Sequence, residues 1–110
     1  MRQVYAHDAV IVPAPGTDPG APGAAVTTAL CGHRRHEPPC PLAPHHTTAE
    51  PDGDRLRLRI LFATEPDRVD EVRARIDAAL AAGDWQLVSS GCTRLEPTER
   101  PHARRLLRSR

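Results

Sequence analysis

The sequence predicts an α+β domain: a small four-stranded sheet in the order β-β-loop-β-α-β, with one amphipathic helix packed on one face. Three observations carry this reading. Residues 55–63, RLRLRILFA, set Leu56, Leu58, Ile60 and Phe62 against Arg55, Arg57 and Arg59, as a strand with one core face and one wet face requires. Beyond them, Val69, Val72, Ile76 and Leu80 recur at helical spacing. Residues 4–12, VYAHDAVIV, are rich in β-branched side chains and stop at Pro13.

The first strand places Tyr5, His7, Ala9 and Ile11 on one face and Val4, Ala6, Asp8, Val10 and Val12 on the other. Residues 13–23, with four prolines and three glycines, form a turn-rich connection. Residues 24–31, AAVTTALC, then suit a second strand; in a hairpin with Val12 opposite Val26, His7 falls close to Cys31. From residue 32 to 54 the chain reads as irregular, because Pro38, Pro39, Pro41, Pro44 and Pro51 interrupt any long element. Its Asp52-Gly53-Asp54 end is a turn signal.

After the 55–63 strand, Thr64 is the expected helix cap, with Pro66 near the first helical position and Asp67 in the first turn. Gly83 is the stop, and residues 84–90, DWQLVSS, form the fourth strand. Strand, helix and strand over 55–90 make a crossover, so these two strands run parallel if they share a sheet. The domain is expected to close at residue 91. Residues 92–110 carry six arginines against Glu96 and Glu99 and read as a basic, frayed tail with at most a short helix over 103–108.

Composition removes several functions. All 15 basic residues are arginine, as a GC-rich genome favours, so Schiff-base chemistry, a pyridoxal-phosphate anchor and a P-loop lysine are excluded. With only Tyr5, Phe62 and Trp85 aromatic and a net charge of +1, nucleic acid is a poor fit as partner. The first residues lack the unbroken apolar run of a secretory signal, and no stretch is long and apolar enough for a membrane, so the expected location is cytoplasmic. Three cysteines, an odd number, argue against a secreted disulfide framework.

Reactive side chains gather in CGHRRHEPPCPLAPHH, residues 31–46, which holds four of the six histidines and two of the three cysteines. Thiolate and imidazole are the ligands zinc prefers, so Cys31, His36, Cys40, His45 and His46 are candidate metal ligands, joined by His7 through the hairpin argument. The spacing matches no standard zinc ribbon or finger, since Cys31 and Cys40 are separated by eight residues and no CxxC occurs. The bland alternative is a buried Cys31, a Cys40 that plugs the loop onto the sheet, and solvated histidines. A third reading makes Cys40 or Cys31 a nucleophile with a loop histidine as base. His36-Glu37 is half of a helical zinc-protease signature, but Pro38 and Pro39 forbid the helix. Arg55, Arg57 and Arg59 could face a phosphate-bearing ligand, or simply pair with neighbouring carboxylates.

Residues 36–47, HEPPCPLAPHHT, and the following RLRLRILFATEPDRVDEVRARIDAAL resemble a group of small uncharacterised proteins from high-GC actinobacteria. The resemblance covers most of the chain from Val4 to Ser90 and implies no activity, substrate or cofactor. It implies that residues 1–50 belong to the domain. The expectation is therefore a small non-enzymatic accessory or binding protein whose Cys/His loop is a candidate zinc holder. The alternatives are a thiol- or metal-dependent enzyme using that loop, and a nucleic-acid regulator using the arginine face and tail. An exposed edge on so small a sheet leaves a homodimer open.

Overall fold

A computed structural model describes residues 1–31 and 43–108, excluding the side chain of Cys31. The elements are β1 (Gln3–Pro13), α1 (Ala21–Cys31), β2 (His45–Asp52), β3 (Arg55–Thr64), α2 (Val69–Ala81), β4 (Trp85–Thr93) and α3 (Arg100–Arg108). Single 3₁₀ turns, Pro66–Arg68 and Pro97–Glu99, lead into α2 and α3. The class is α+β, with a four-stranded antiparallel sheet of order β2-β3-β1-β4. Read from the other edge this is 4-1-3-2, the ferredoxin-like split βαβ arrangement, with α3 added at its end.

Two expectations about the first half are corrected. Residues 24–31 are helical, as part of α1, so no hairpin brings His7 to Cys31. Asp18 starts the helix: its carboxylate accepts from Gly20 N–H at 2.9 Å and its carbonyl from Ala21 N–H at 2.9 Å. Pro22 suits the first turn, and Val26 and Leu30, one turn apart, are both fully buried. Burial of that pair overrides the β-leaning of Val26, Thr27 and Thr28. The second strand comes instead from the segment expected to be irregular. β2 lies at the sheet edge, where Pro51 is tolerated, and a two-residue turn with Gly53 at φ +63° returns it to β3.

β3 and β4 do run in the same direction, but β1 lies between them and pairs antiparallel with both. Thr64 is buried at the end of β3 and caps nothing; Glu65 and Arg68 precede the 3₁₀ turn and α2, and neither supplies a side-chain cap. At the far end of α2 the Trp85 indole donates to Leu80 O at 2.6 Å, satisfying one of the helix's last carbonyls. The indole lies over Gly83 so closely that a Cβ there would sit 2.0 Å from it, which fixes glycine at that position.

The two sheet faces have different covers. Ile11, Leu56, Leu58, Ile60 and Phe62 pack under Val26 and Leu30 of α1 and Val72, Ile76 and Leu80 of α2. The opposite face is covered at one end by α3, with Leu106 seated on Ala6, Leu61 and Ala63 and flanked by Val4 and Leu95. The expected boundary at residue 91 thus falls inside β4, and the arginine-rich segment beyond it forms a packed helix. Its amphipathic pattern places Ala103 and Leu106 inward and Arg104, Arg105 and Arg108 outward of them.

Candidate functional site

Alternation along the strands sends the histidines to separate places. His45 shares the α1/α2 face with Phe62, where its Nε2 meets Thr27 Oγ1 at 3.1 Å and its Nδ1 meets Ala43 O at 3.2 Å. His46, the next residue, points to the opposite face and packs against His102 of α3, with ring centroids 4.0 Å apart and the planes tilted by 41°. His7 lies on β1 beneath α2 and is 1 % exposed. The three described candidate ligands therefore do not share one space. Cys31 ends α1, while His36 and Cys40 lie outside the described residues. Among the described residues no group of three or more His, Cys, Asp or Glu side chains could hold a metal.

His7 belongs to a polar chain that runs from its own buried ring out to the half-exposed Asp77. Arg73 of α2 approaches His7 Nδ1 at 2.9 Å and donates to Ala6 O at 3.1 Å, with its guanidinium 5.3 Å from the centre of the Phe62 ring. Arginine is a donor only, so Nδ1 must accept and the ring proton sits on Nε2. That Nε2–H faces Ser90 Oγ at 2.7 Å, and Ser90 in turn donates to Asp77 in a short contact. Burial pushes the His7 pKa below the ordinary histidine value; the Asp77 carboxylate opposes this and the Arg73 cation adds to it. Held neutral, His7 makes no ion pair with Asp77 across their 3.4 Å separation.

Serine, histidine and aspartate meet here, yet not in catalytic order. A serine nucleophile needs a histidine lone pair to receive its proton and a carboxylate on the far ring nitrogen. Here the Nε2 site already carries a proton, and a cation occupies the Nδ1 side. Residue types alone suggest an active site; the wiring makes a relay of hydrogen bonds from Arg73 to Asp77.

A different set of polar groups converges on the α3 side of the sheet. His46 and Thr48 from β2, Arg59 from β3, and Glu99, His102 and Arg105 from the α3 segment line a 280 Å³ cavity. Arg59 is held by Glu99 through two 2.7 Å hydrogen bonds, by Asp8 at 2.9 Å and by Arg94 O at 2.7 Å. This bonding raises the Arg59 pKa above its already high value and, chiefly through the Arg59 hydrogen bonds, lowers that of Glu99. His46 is pushed below the ordinary histidine value by burial, then by His102 and Arg105. A second hollow, lined by Asp8, Val10, Glu50, Arg57 and Thr93, continues from it along the open sheet and shares Thr48 and Arg59.

Of the arginine face read from the sequence, Arg59 is closed by carboxylates, whereas Arg55 and Arg57 are exposed. The sequence reading missed Glu99, His102 and Arg105 because they fall in the segment taken for a tail. A signal was present in Glu96-Pro97-Thr98-Glu99, where proline follows the cap and glutamate stands three residues on: Glu99 accepts from Glu96 N–H at 2.8 Å in a capping box. Compared with known proteins, the chain matches no family model and no curated protein.

Proposed function

We propose that this chain is a non-enzymatic binding protein whose ligand seats in the groove between α3 and the open sheet face. The observation that carries the reading is the convergence on one cavity of His46, Thr48, Arg59, His102 and Arg105, delivered by a strand edge, a central strand and a helix. Rigid elements that aim a few polar groups into one concavity are what small-ligand recognition requires. The wiring of His7, Ser90 and Asp77 supports binding over hydrolysis, since it leaves no base for a nucleophile.

The reading is tested by titrating ¹⁵N-labelled protein with fragments that are anionic, cationic and uncharged, followed by two-dimensional NMR. Binding should shift Thr48, His46 and His102 amides and spare α1. Fragments that all miss the groove, or that perturb only the α1/α2 side, would overturn it.

A further inference from the structure

We infer that His7 is a proton-operated latch between β1 and α2, which holds the Arg73 guanidinium while the ring is neutral and releases it to solvent when the ring takes up a second proton. The latch lies on the α2 side of the sheet and is independent of the groove on the other face. The neutral ring offers a single lone pair, on Nδ1, and Arg73 fills it at 2.9 Å while also donating to Ala6 O at 3.1 Å. The same guanidinium lies 5.3 Å from the centre of the Phe62 ring. Among the described residues, His7 and Ala6 O are the polar partners of Arg73, so this tie from α2 to β1 depends on the protonation state of one imidazole.

A second ring proton has only Nδ1 to occupy. There it faces an N–H of Arg73, with two donors and two cations in contact and no acceptor between them. At a ring that is 1 % exposed, water does little to screen that repulsion. His7 cannot withdraw, because β1 is held between β3 and β4. Arg73 is half-buried on a long, flexible stem, and it is the group that leaves. At the other ring nitrogen the same proton is favourable. Asp77 stands 3.4 Å from Nε2 and accepts from the Ser90 hydroxyl, so an imidazolium gains an opposite charge both directly and through Ser90. Two side chains of α2, four positions apart, thus respond in opposite senses to one proton, as a two-position switch requires.

The remaining neighbours of His7 do not compete for this role. Asp8, next on β1, pairs with Arg59 on the opposite face, and its pull on the ring is weaker than that of Asp77 or Arg73. β4 contributes Ser90 and, directly across from His7, Cys92; β3 contributes Ile60 and Phe62, with Tyr5 of β1 stacked on the latter. The helix itself stays docked, since Val72, Ile76 and Leu80 are wholly buried whichever way Arg73 points.

The test follows the full, isotope-labelled chain by NMR from about pH 7.5 to about pH 4.5, a range that spans histidine titration. The His7 ring should pass from the Nε2–H tautomer to the doubly protonated form with a midpoint below 6.5. Rotation of the Arg73 guanidinium about its Cζ–Nη bonds, slow while the side chain is held, should become fast with the same midpoint. Trp85, the one tryptophan, bonds to Leu80 O at the far end of α2, and its fluorescence should stay constant through the transition. Arg73→Gln should raise the His7 midpoint by about one pH unit, and Asp77→Asn should lower it by about as much. Asp77 is half-exposed, so its variant keeps the test open if Arg73→Gln fails to fold, with circular dichroism at neutral pH reporting on each.

An Arg73 guanidinium that stays restricted after His7 has titrated would overturn the latch. So would a His7 that takes up its proton only as the Trp85 signal and the circular dichroism are lost, because protonation would then belong to unfolding. A midpoint unmoved by Asp77→Asn would overturn it as well, since the charged ring would have no partner to turn to.

Discussion

The guanidinium of Arg59 grips the carboxylate of Glu99 through two 2.7 Å hydrogen bonds, tying the middle of β3 to the residue that precedes α3. Both side chains are largely covered, at 23 % and 20 % exposure. A fork of this kind is stronger than a point contact, because two charge-assisted bonds share one geometry. Glu99→Gln keeps the shape and removes the charge. It should cost about 1–3 kcal/mol in urea denaturation, since Arg59 retains Asp8 and Arg94 O. A loss well below 0.5 kcal/mol, outside the usual range for a charge-assisted bond, would show that α3 is held without the fork.

The histidines give stability a defined pH dependence. Burial is the leading cause that holds His7, His45 and His46 below the ordinary value of 6.5. In the unfolded chain they titrate near that value, so between it and their lower folded pKa values the unfolded state binds more protons. Stability is therefore complete above pH 6.5 and falls as the pH drops below it. Glu99, lowered by its Arg59 hydrogen bonds from 4.5, adds a second loss as the pH falls through the acid range below that value. Thermal melts at stepped pH should show both declines, and His46→Gln should flatten part of the first. A Tm that rises between neutral pH and pH 5.5 would contradict this account.

Residues 55–90 were legible because their periodicities are strong and agree with their surroundings. Leu56, Leu58, Ile60 and Phe62 meet Val72, Ile76 and Leu80 as the alternation and the helical stripe require. The first half misled for physical reasons. Val26-Thr27-Thr28 lean towards strand on their own, and only contact with α2 and β2 makes them helical. Residues 45–52 contain Pro51, which forbids a central strand yet is acceptable at an edge, and nothing local says which position a strand will occupy. The site suffered similarly. His45 and His46 are adjacent in sequence and sit on opposite sheet faces, so counting histidines in a segment could not say which of them work together.

His7, Ser90 and Asp77 yield a prediction that separates a relay from a nucleophile. With Arg73 donating to Nδ1, the imidazole nitrogen shifts should report a neutral ring protonated on Nε2 at neutral pH. Ser90 should not react with a fluorophosphonate, because its proton is directed to Asp77 and no base receives it. Ser90→Ala should cost about 1–3 kcal/mol by leaving the His7 Nε2–H unpaired. Stoichiometric labelling that disappears in Ser90→Ala would sink the relay and restore the hydrolytic alternative.

α3 offers a test of how the roof of the groove is attached. Leu106 is 7 % exposed and covers Ala6, Leu61 and Ala63, whereas Ile76 is wholly buried in the main core. Truncating either leucine or isoleucine to alanine removes apolar contact and leaves a cavity, at about 2–5 kcal/mol for a fully enclosed site. Leu106→Ala should fall near about 2 kcal/mol, since its cluster is small, keeps some exposure to solvent and can relax. Its effect should also be local. Hydrogen exchange should speed up across residues 100–108 while β1 and β3 keep their protection, because the main core lies on the other sheet face. Ile76→Ala should instead accelerate exchange throughout the sheet. Uniform acceleration in both variants would mean that α3 and the main core unfold as one unit, and that the groove cannot open without the domain.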